Sequence, residues 1–266
     1  VRYGGNTPCV EVRAADGPVV ILDAGSGIRL LGQEMMRSGD RETPLHLFLT
    51  HRHSDHVQGL PHFAPLFVGP RDIAICCGDG EHASVPPFVA SLLTPPLFPH
   101  VDGLAEAIAV CEWPAGNHLD VGSLYLTRCV ARHPGDAAIF VVHDAQGALI
   151  AYAPDNELGY TQADPAITRW REALAASLRG IPLLVHDATF LSEELPRHVG
   201  WGHSSSEEAV RFAIECEAGM LLLFHHHPDR DDDTIERMVD DARAQVAAAG
   251  SRLRVMAAWE GLGLSV

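Results

Sequence analysis

Leu45-His46-Leu47-Phe48-Leu49-Thr50-His51-Arg52-His53-Ser54-Asp55-His56 is an apolar run that empties into three histidines and an aspartate within six residues. Leu45, Leu47 and Leu49 alternate with His46, Phe48 and Thr50, the pattern of a short, largely buried strand. The histidines begin at its carboxyl end. In extended or tightly turned backbone His51 and His53 share one face, while Asp55 and His56 lie on the turn that follows. Two nitrogens can then close on one cation and an N/O pair on a second. A polar surface loop explains a lone His-x-His well enough. A full His-x-His-x-Asp-His after a buried strand gathers more metal-competent groups than loops collect by chance.

The run resembles the hallmark of the metallo-β-lactamase fold superfamily. That resemblance implies an α/β fold, a four-layer αββα sandwich with a metal site at one edge, one or two bound ions, and usually hydrolytic chemistry.

With 266 residues, 47% of them hydrophobic, the chain can bury one large core, and a single domain over 1–266 is expected. A formal charge of −16 with only 19 Lys and Arg disfavours long nucleic acid, because phosphate contacts need cationic side chains; bound dications and a local basic patch could reverse the field at a site. Six scattered cysteines without a Cys-x-x-Cys pair read as buried reduced thiols of a cytoplasmic protein. No stretch approaches the roughly 20 apolar residues of a membrane span, and no basic-then-apolar leader is visible. The chain starts at Val1, and the resemblance implies a first strand and a glycine-containing turn upstream of it.

Further strands are expected over Cys9–Arg13, Val19–Leu22, Ile73–Cys76, Gly122–Cys129, Ala137–His143, Ala148–Tyr152, Leu183–Val185, Met220–Phe224 and Arg252–Ala258. Asp16-Gly17-Pro18 reads as a hairpin loop. Helices are expected from Ile28 to Gly39, after Asp164-Pro165, after Ser204-Ser205-Ser206, and from Thr234 to Ala249. Gly78 to Pro99, with five prolines, reads as a long loop that either covers a substrate or makes a passive excursion. Asp23, at a strand end before glycines, is either a group that orients ligands or an ordinary turn residue.

Several strands deliver polar groups at their carboxyl ends: His51, Asp187 in His186-Asp187-Ala188-Thr189-Phe190, and His225 in His225-His226-His227-Pro228. A hairpin from His133 to Asp155 returns those two residues to the same end. Mapped through the resemblance, a first ion takes His51, His53, His133 and Asp155, and a second takes Asp55, His56, Asp155 and His225, with Asp155 bridging. His227 shares a face with His225 in an alternating strand and stays an alternative. The two ions, Zn or Mn, would generate a metal-bridging hydroxide. Asp187 and His203, the latter in Gly202-His203-Ser204, are similar to the paired acid and imidazole of the phosphodiesterase branch, which includes tRNase Z and small cyclic-phosphate diesterases. The resemblance thus implies Asp55, Asp187 and His203 as catalytic residues.

His133 and Asp155 are 22 positions apart (155 − 133), which leaves room for the hairpin; the resemblance to tRNase Z would imply a long Gly/Pro-rich arm for gripping tRNA, in this interval or elsewhere, and no such arm is found. The expectation is therefore a hydrolase of a small phosphodiester, cyclic phosphates included, not membrane-bound, with a homodimer left open. Alternatives are a tRNA 3′ endonuclease, a carboxylic-ester or lactone hydrolase on the same scaffold, and a metal-binding module without turnover.

Overall fold

A computed structural model describes residues 2–15, 17–68, 72–79, 85–99, 101–104 and 108–266. The chain divides into two compact units, one over Asn6–Arg128 and one formed by Val1–Gly5 with Cys129–Val266. Among the described residues, no helix is long and apolar enough to cross a membrane.

In Asn6–Arg128, β1 (Val10–Arg13) and β2 (Val19–Leu22) pair antiparallel, Val10 opposite Leu22. Asp16, in the expected hairpin loop between them, lies outside the described residues. β2, β3 (Leu45–Leu49), β4 (Ile73–Cys77) and β5 (Ile108–Val110) are all parallel, in the order β1-β2-β3-β4-β5. Every residue of β2 is buried, as parallel strands covered on both faces require. α1 (Ile28–Ser38) carries the chain from β2 to β3 and stops at Gly39, whose φ of 81° suits glycine. Its Ile28 and Met35 join Ile21, Leu47, Leu49, Phe63 and Ile75 in this unit's core. After β3 a single turn, α2 (Ser54–Val57), holds Asp55 and His56.

The expected long proline-rich loop is only partly a loop. Residues 80–84 lie outside the description, but Val85–Leu92 form a helix, α3, that buries Val85 and Val89. Pro86 and Pro87 fall in its first turn, where a missing N–H breaks no helical bond. Short strands β6 (Leu119–Val121) and β7 (Leu124–Val130) make a hairpin, Leu119 opposite Leu126. The cysteines also depart from expectation. β4 and β5 align Ile75 with Val110, so Cys76 faces Cys111 at a Cα separation of 5.0 Å and the two form a disulfide. Strand pairing, invisible in the spacing, decides this. Cys9, Cys77, Cys129 and Cys216 are free thiols, and burial pushes Cys77 and Cys216 up to about 12.

In the other unit, β8 (Ala138–Asp144) and β9 (Gly147–Ala153) form the expected antiparallel hairpin. β9, β10 (Leu183–Asp187), β11 (Met220–Phe224) and β12 (Arg254–Ala257) are parallel neighbours in that order. Register matters most here. His186 lies opposite both Ala153 and Leu223, so β9, β10 and β11 end level and release Asp155, Asp187 and His225 along one edge.

Three helices serve this sheet: α4 (Pro165–Ser177), α5 (Ser206–Glu215) and α6 (Asp232–Ala248). Side-chain caps start all three, Asp164 to Ala166 N–H, Ser205 to Glu208 N–H and Asp231 to Thr234 N–H, each contributing about 1 kcal/mol. Leu174, Val210, Phe212, Ile235 and Met238 bury the apolar faces of these helices with Leu184, Leu221 and Leu223 of the strands.

Candidate metal-site residues

The sequence-predicted ligands gather in two clusters, one in each unit. His51, His53, Asp55 and His56 form the first. β3 hands over to Thr50 and then to the fully buried His51, whose Nε2 lies 2.9 Å from His53 Nδ1. His51 Nδ1 is 3.1 Å from Thr50 Oγ1, and that hydroxyl lies 3.0 Å from each carboxylate oxygen of Asp23. The hydroxyl donates to Asp23 and accepts from His51 Nδ1–H, which puts the lone pair of His51 on Nε2. Asp23 Oδ2 also accepts from His56 Nδ1–H at 2.8 Å, turning His56 Nε2 toward Asp55 Oδ2, 3.3 Å away. Asp23 thus sets the tautomers of two histidines, so of its two sequence readings the ligand-orienting one describes its contacts. It turns off β2 with φ 62°, a left-handed conformation that aspartate adopts more readily than most residues. Beside it, Gly25 has no room for a side chain: a Cβ there would stand 2.3 Å from the carbonyl oxygen of Asp55.

His133, Asp155, Asp187, His203 and His225 form the second cluster. The buried Asp155 offers Oδ2 to His133 Nε2 at 3.4 Å and Oδ1 to His225 Nε2 at 3.1 Å, so its two oxygens face different imidazoles. Ligand-competent atoms of Asp155, His203 and His225 lie within 4.8 Å of one another. Each ring is pinned through Nδ1. His133 Nδ1–H donates to the Gly202 carbonyl at 3.0 Å, His225 Nδ1 meets Thr189 Oγ1 at 3.1 Å, and His203 Nδ1–H donates to Asp187 Oδ2 at 2.6 Å. Every Nε2 is thereby left to face inward.

Of the three consecutive histidines, His225 is the one against Asp155, aimed there by a backbone φ of 57°. His226 donates from Nε2 to the Ala258 carbonyl, and burial pushes its pKa down to about 4. His227 Nδ1 instead accepts from the Asp229 N–H at 3.3 Å.

The donor sets suit divalent cations. They combine imidazole nitrogen with carboxylate oxygen, the mixture that Zn²⁺ and Mn²⁺ accept, and the hydrogen bonds behind the rings fix the lone pairs in advance. Asp187 is fully buried and receives three donors, His203 Nδ1–H and Asn156 N–H (3.3 Å) on Oδ2 and Thr189 N–H (2.9 Å) on Oδ1. Behind it, burial lowers the pKa of His186 and keeps the ring neutral, donating to the Asp187 carbonyl and accepting from Asn156 Nδ2.

Four supporting residues escaped the sequence reading. Buried Glu157 accepts the N–H groups of Gly200 and Gly202 at 2.9 Å each. Asn156 accepts from Arg132 N–H at 3.0 Å, next to His133. Ser204 Oγ donates to the Asn156 carbonyl at 2.6 Å. Thr189 grips both the ring and the carbonyl of His225. The polar run Asp155-Asn156-Glu157 straight after an apolar strand was the available signal; the amides it meets lie some 45 residues away and leave no trace in local spacing. Gly202 is held at φ 87°, and a Cβ there would lie 2.2 Å from His133 Nδ1.

Comparison with known proteins identifies the family and the fold. Residues 19–226 match the Beta-lactamase superfamily domain. A curated Ribonuclease Z from Porphyromonas gingivalis is 25% identical over 296 aligned positions, covering 93% of this chain and 92% of that protein. The metallo-beta-lactamase fold protein YhfI from Bacillus subtilis superposes with a TM-score of 0.70 at 19% identity, over 98% of this chain and 94% of the other. A diphosphatase from the PhnP family superposes with a TM-score of 0.62 at 16% identity, over 98% and 84%. The expected α/β metallo-β-lactamase fold is thus the fold of this protein. With a matched region that spans most of its length, the chain belongs to the beta-lactamase superfamily.

Proposed function

We propose that this protein is a metal-dependent hydrolase of phosphodiesters, with a small, cyclic or nucleotide-like diester as its substrate. In this reading the two units are halves of one domain, and the two histidine clusters jointly hold two divalent cations, Zn or Mn. His51, His53, His133 and Asp155 would hold one; Asp55, His56, Asp155 and His225 would hold the other. Such ions, when bound, supply a nucleophilic water near neutral pH and positive charge for the oxygens of the reacting phosphate.

The observation that carries the phosphorus reading is the 2.6 Å contact between His203 Nδ1 and Asp187 Oδ2 beside Asp155 and His225. An ionised carboxylate on Nδ1 fixes the tautomer, raises the basicity of Nε2 and steadies the imidazolium. His203 Nε2 can then contact a phosphate oxygen and deliver a proton to the departing alkoxide. Three donors fix the Asp187 carboxylate in place behind the ring. A carboxylic-ester or lactone hydrolase would use the same cation ligands without needing this pair, and a metal-binding module without turnover would need neither the pair nor its support.

RNA cleavage is the second reading, supported by the curated relative named Ribonuclease Z, which aligns along nearly the whole chain. Against it stand the charge of −16 and the interval between His133 and Asp155, which the β8–β9 hairpin fills.

Bis(p-nitrophenyl) phosphate with added Mn²⁺ or Zn²⁺ tests the proposal. Turnover should vanish in Asp55→Ala; equal rates in the variant would defeat the assignment. His203→Ala should keep its metal and slow diester cleavage by about 10²-fold or more. A panel of cyclic nucleotides, linear dinucleotides, a pre-tRNA and a lactone then separates the alternatives.

A further inference from the structure

We infer that the indole of Trp201 is a stacking platform for the nucleobase of the substrate, which makes the diester a nucleotide derivative; this rests on the phosphodiesterase reading above. Trp201 is 61% exposed, more than any other tryptophan, phenylalanine or tyrosine among the described residues. Its backbone is not correspondingly loose. The flanking Gly200 and Gly202 both adopt left-handed φ values, 85° and 87°, and both N–H groups end on the buried carboxylate of Glu157. Trp201 N–H itself donates to the His198 carbonyl at 3.1 Å. A large ring held out by a turn fastened at three successive amides loses little freedom on meeting a ligand.

From that ring a file of aromatics leads inward. Trp201 meets His198 edge-on, with centroids 4.8 Å apart and planes at 84°. His198, its Nδ1–H fixed on the Glu194 carbonyl, stacks on Phe190 at 4.3 Å and 11°. Phe190 meets His203 edge-on at 6.0 Å. Trp201 is also two residues from His203, a backbone reach of about 7 Å at most. Base and phosphate of one nucleotide are separated by a single sugar, so a phosphate at His203 leaves its base near the indole.

Stacking also fits the charge of the molecule. With 35 acidic against 19 basic residues, grip on a nucleotide comes more readily from a π-face than from a field of cations, and every base has a π-face. A protein partner would call for a broad apolar patch, whereas on this turn only Val199, 47% exposed, accompanies the indole.

The test compares two substrates with one leaving group, thymidine 5′-(p-nitrophenyl phosphate) and methyl p-nitrophenyl phosphate. In Trp201→Ala the ratio of kcat/KM for the nucleoside over the methyl substrate should fall about 5- to 150-fold, mostly through KM, with Trp201→Phe retaining most of the preference. A ratio unchanged within twofold overturns the inference while leaving the phosphodiesterase reading intact. Failure of the wild-type protein to cleave either substrate defeats that reading instead. AMP binding, followed by quenching of tryptophan emission, gives an answer independent of turnover: quenching lost in Trp201→Ala supports the platform, and quenching retained overturns it. A 2′,3′-cyclic nucleotide and an RNA with a 3′ extension, assayed in parallel, distinguish a free nucleotide from a terminal nucleoside of RNA as the source of the base. A Trp201→Ala loss on either supports the inference, and a loss on neither overturns it.

Discussion

Glu208 is a buried carboxyl group on α5, and its replacement by glutamine should stabilise the protein in a strongly pH-dependent way. The residue is 6% exposed; its Oε1 accepts the Tyr160 N–H at 2.9 Å, while its Oε2 is buried without a hydrogen-bond partner. Burial, reinforced by the nearby carboxylate of Glu157, raises its pKa from 4.5 to about 7. Between pH 4.5 and 7 the folded protein therefore keeps a proton that the unfolded chain has released. Stability from this group falls as pH rises across that window and levels off above it, a total change of about 3 kcal/mol. A glutamine amide in its place would keep the acceptor for Tyr160 and never ionise. Glu208→Gln should match the wild type near pH 4.5 and exceed it at pH 8 by ~3 kcal/mol, a rise in Tm of roughly 6–12 °C for a chain of this size. Melting curves of both proteins, with metals as purified, every half unit from pH 5 to 8.5, provide the measurement, and the difference between them cancels the other titrating groups. A gap that stays constant with pH, or a variant less stable at pH 8, would refute the assignment of Glu208 as a neutral acid held in the fold.

Gly200→Ala and Gly202→Ala impose similar left-handed strain, about 1 kcal/mol, but only the second drives a Cβ into His133, since nothing lies within 4 Å of a Cβ at Gly200. Both should lower Tm, and only Gly202→Ala should lower the metal content per chain measured by elemental analysis; equal metal loss in both would show that strain alone is responsible. Asp23→Asn removes a charged acceptor shared by Thr50 and His56 and should weaken Zn²⁺ affinity about 10- to 100-fold in competition with a chromophoric chelator. Unchanged affinity would reduce Asp23 to a strand terminator.

Much of the architecture was legible because apolar runs of the right length end abruptly in polar groups. Leu45–Leu49, Leu183–Val185 and Met220–Phe224 read as strands for that reason, the second running on to Asp187, and His51, Asp187 and His225 stand at or just past their ends. What escaped notice depended on partners far off in the chain. Pro86 and Pro87 resemble a loop until their place in the first turn of α3 is known. Cys76 and Cys111 look unrelated until β4 and β5 are in register. Glu157, Asn156, Ser204 and Thr189 are ordinary polar residues whose importance lies in the particular amides, carbonyls and rings they meet, and no local periodicity records such meetings.

His225 joins two features in one residue: its imidazole lies against Asp155, and its backbone turns the chain at φ 57°. A substitution there alters the ring and the turn together. Asparagine would preserve the bend while deleting the nitrogen heterocycle, and a β-branched side chain would resist the bend altogether. A small set of replacements at this one locus can therefore separate, by experiment, how much the corner matters from how much its cargo does.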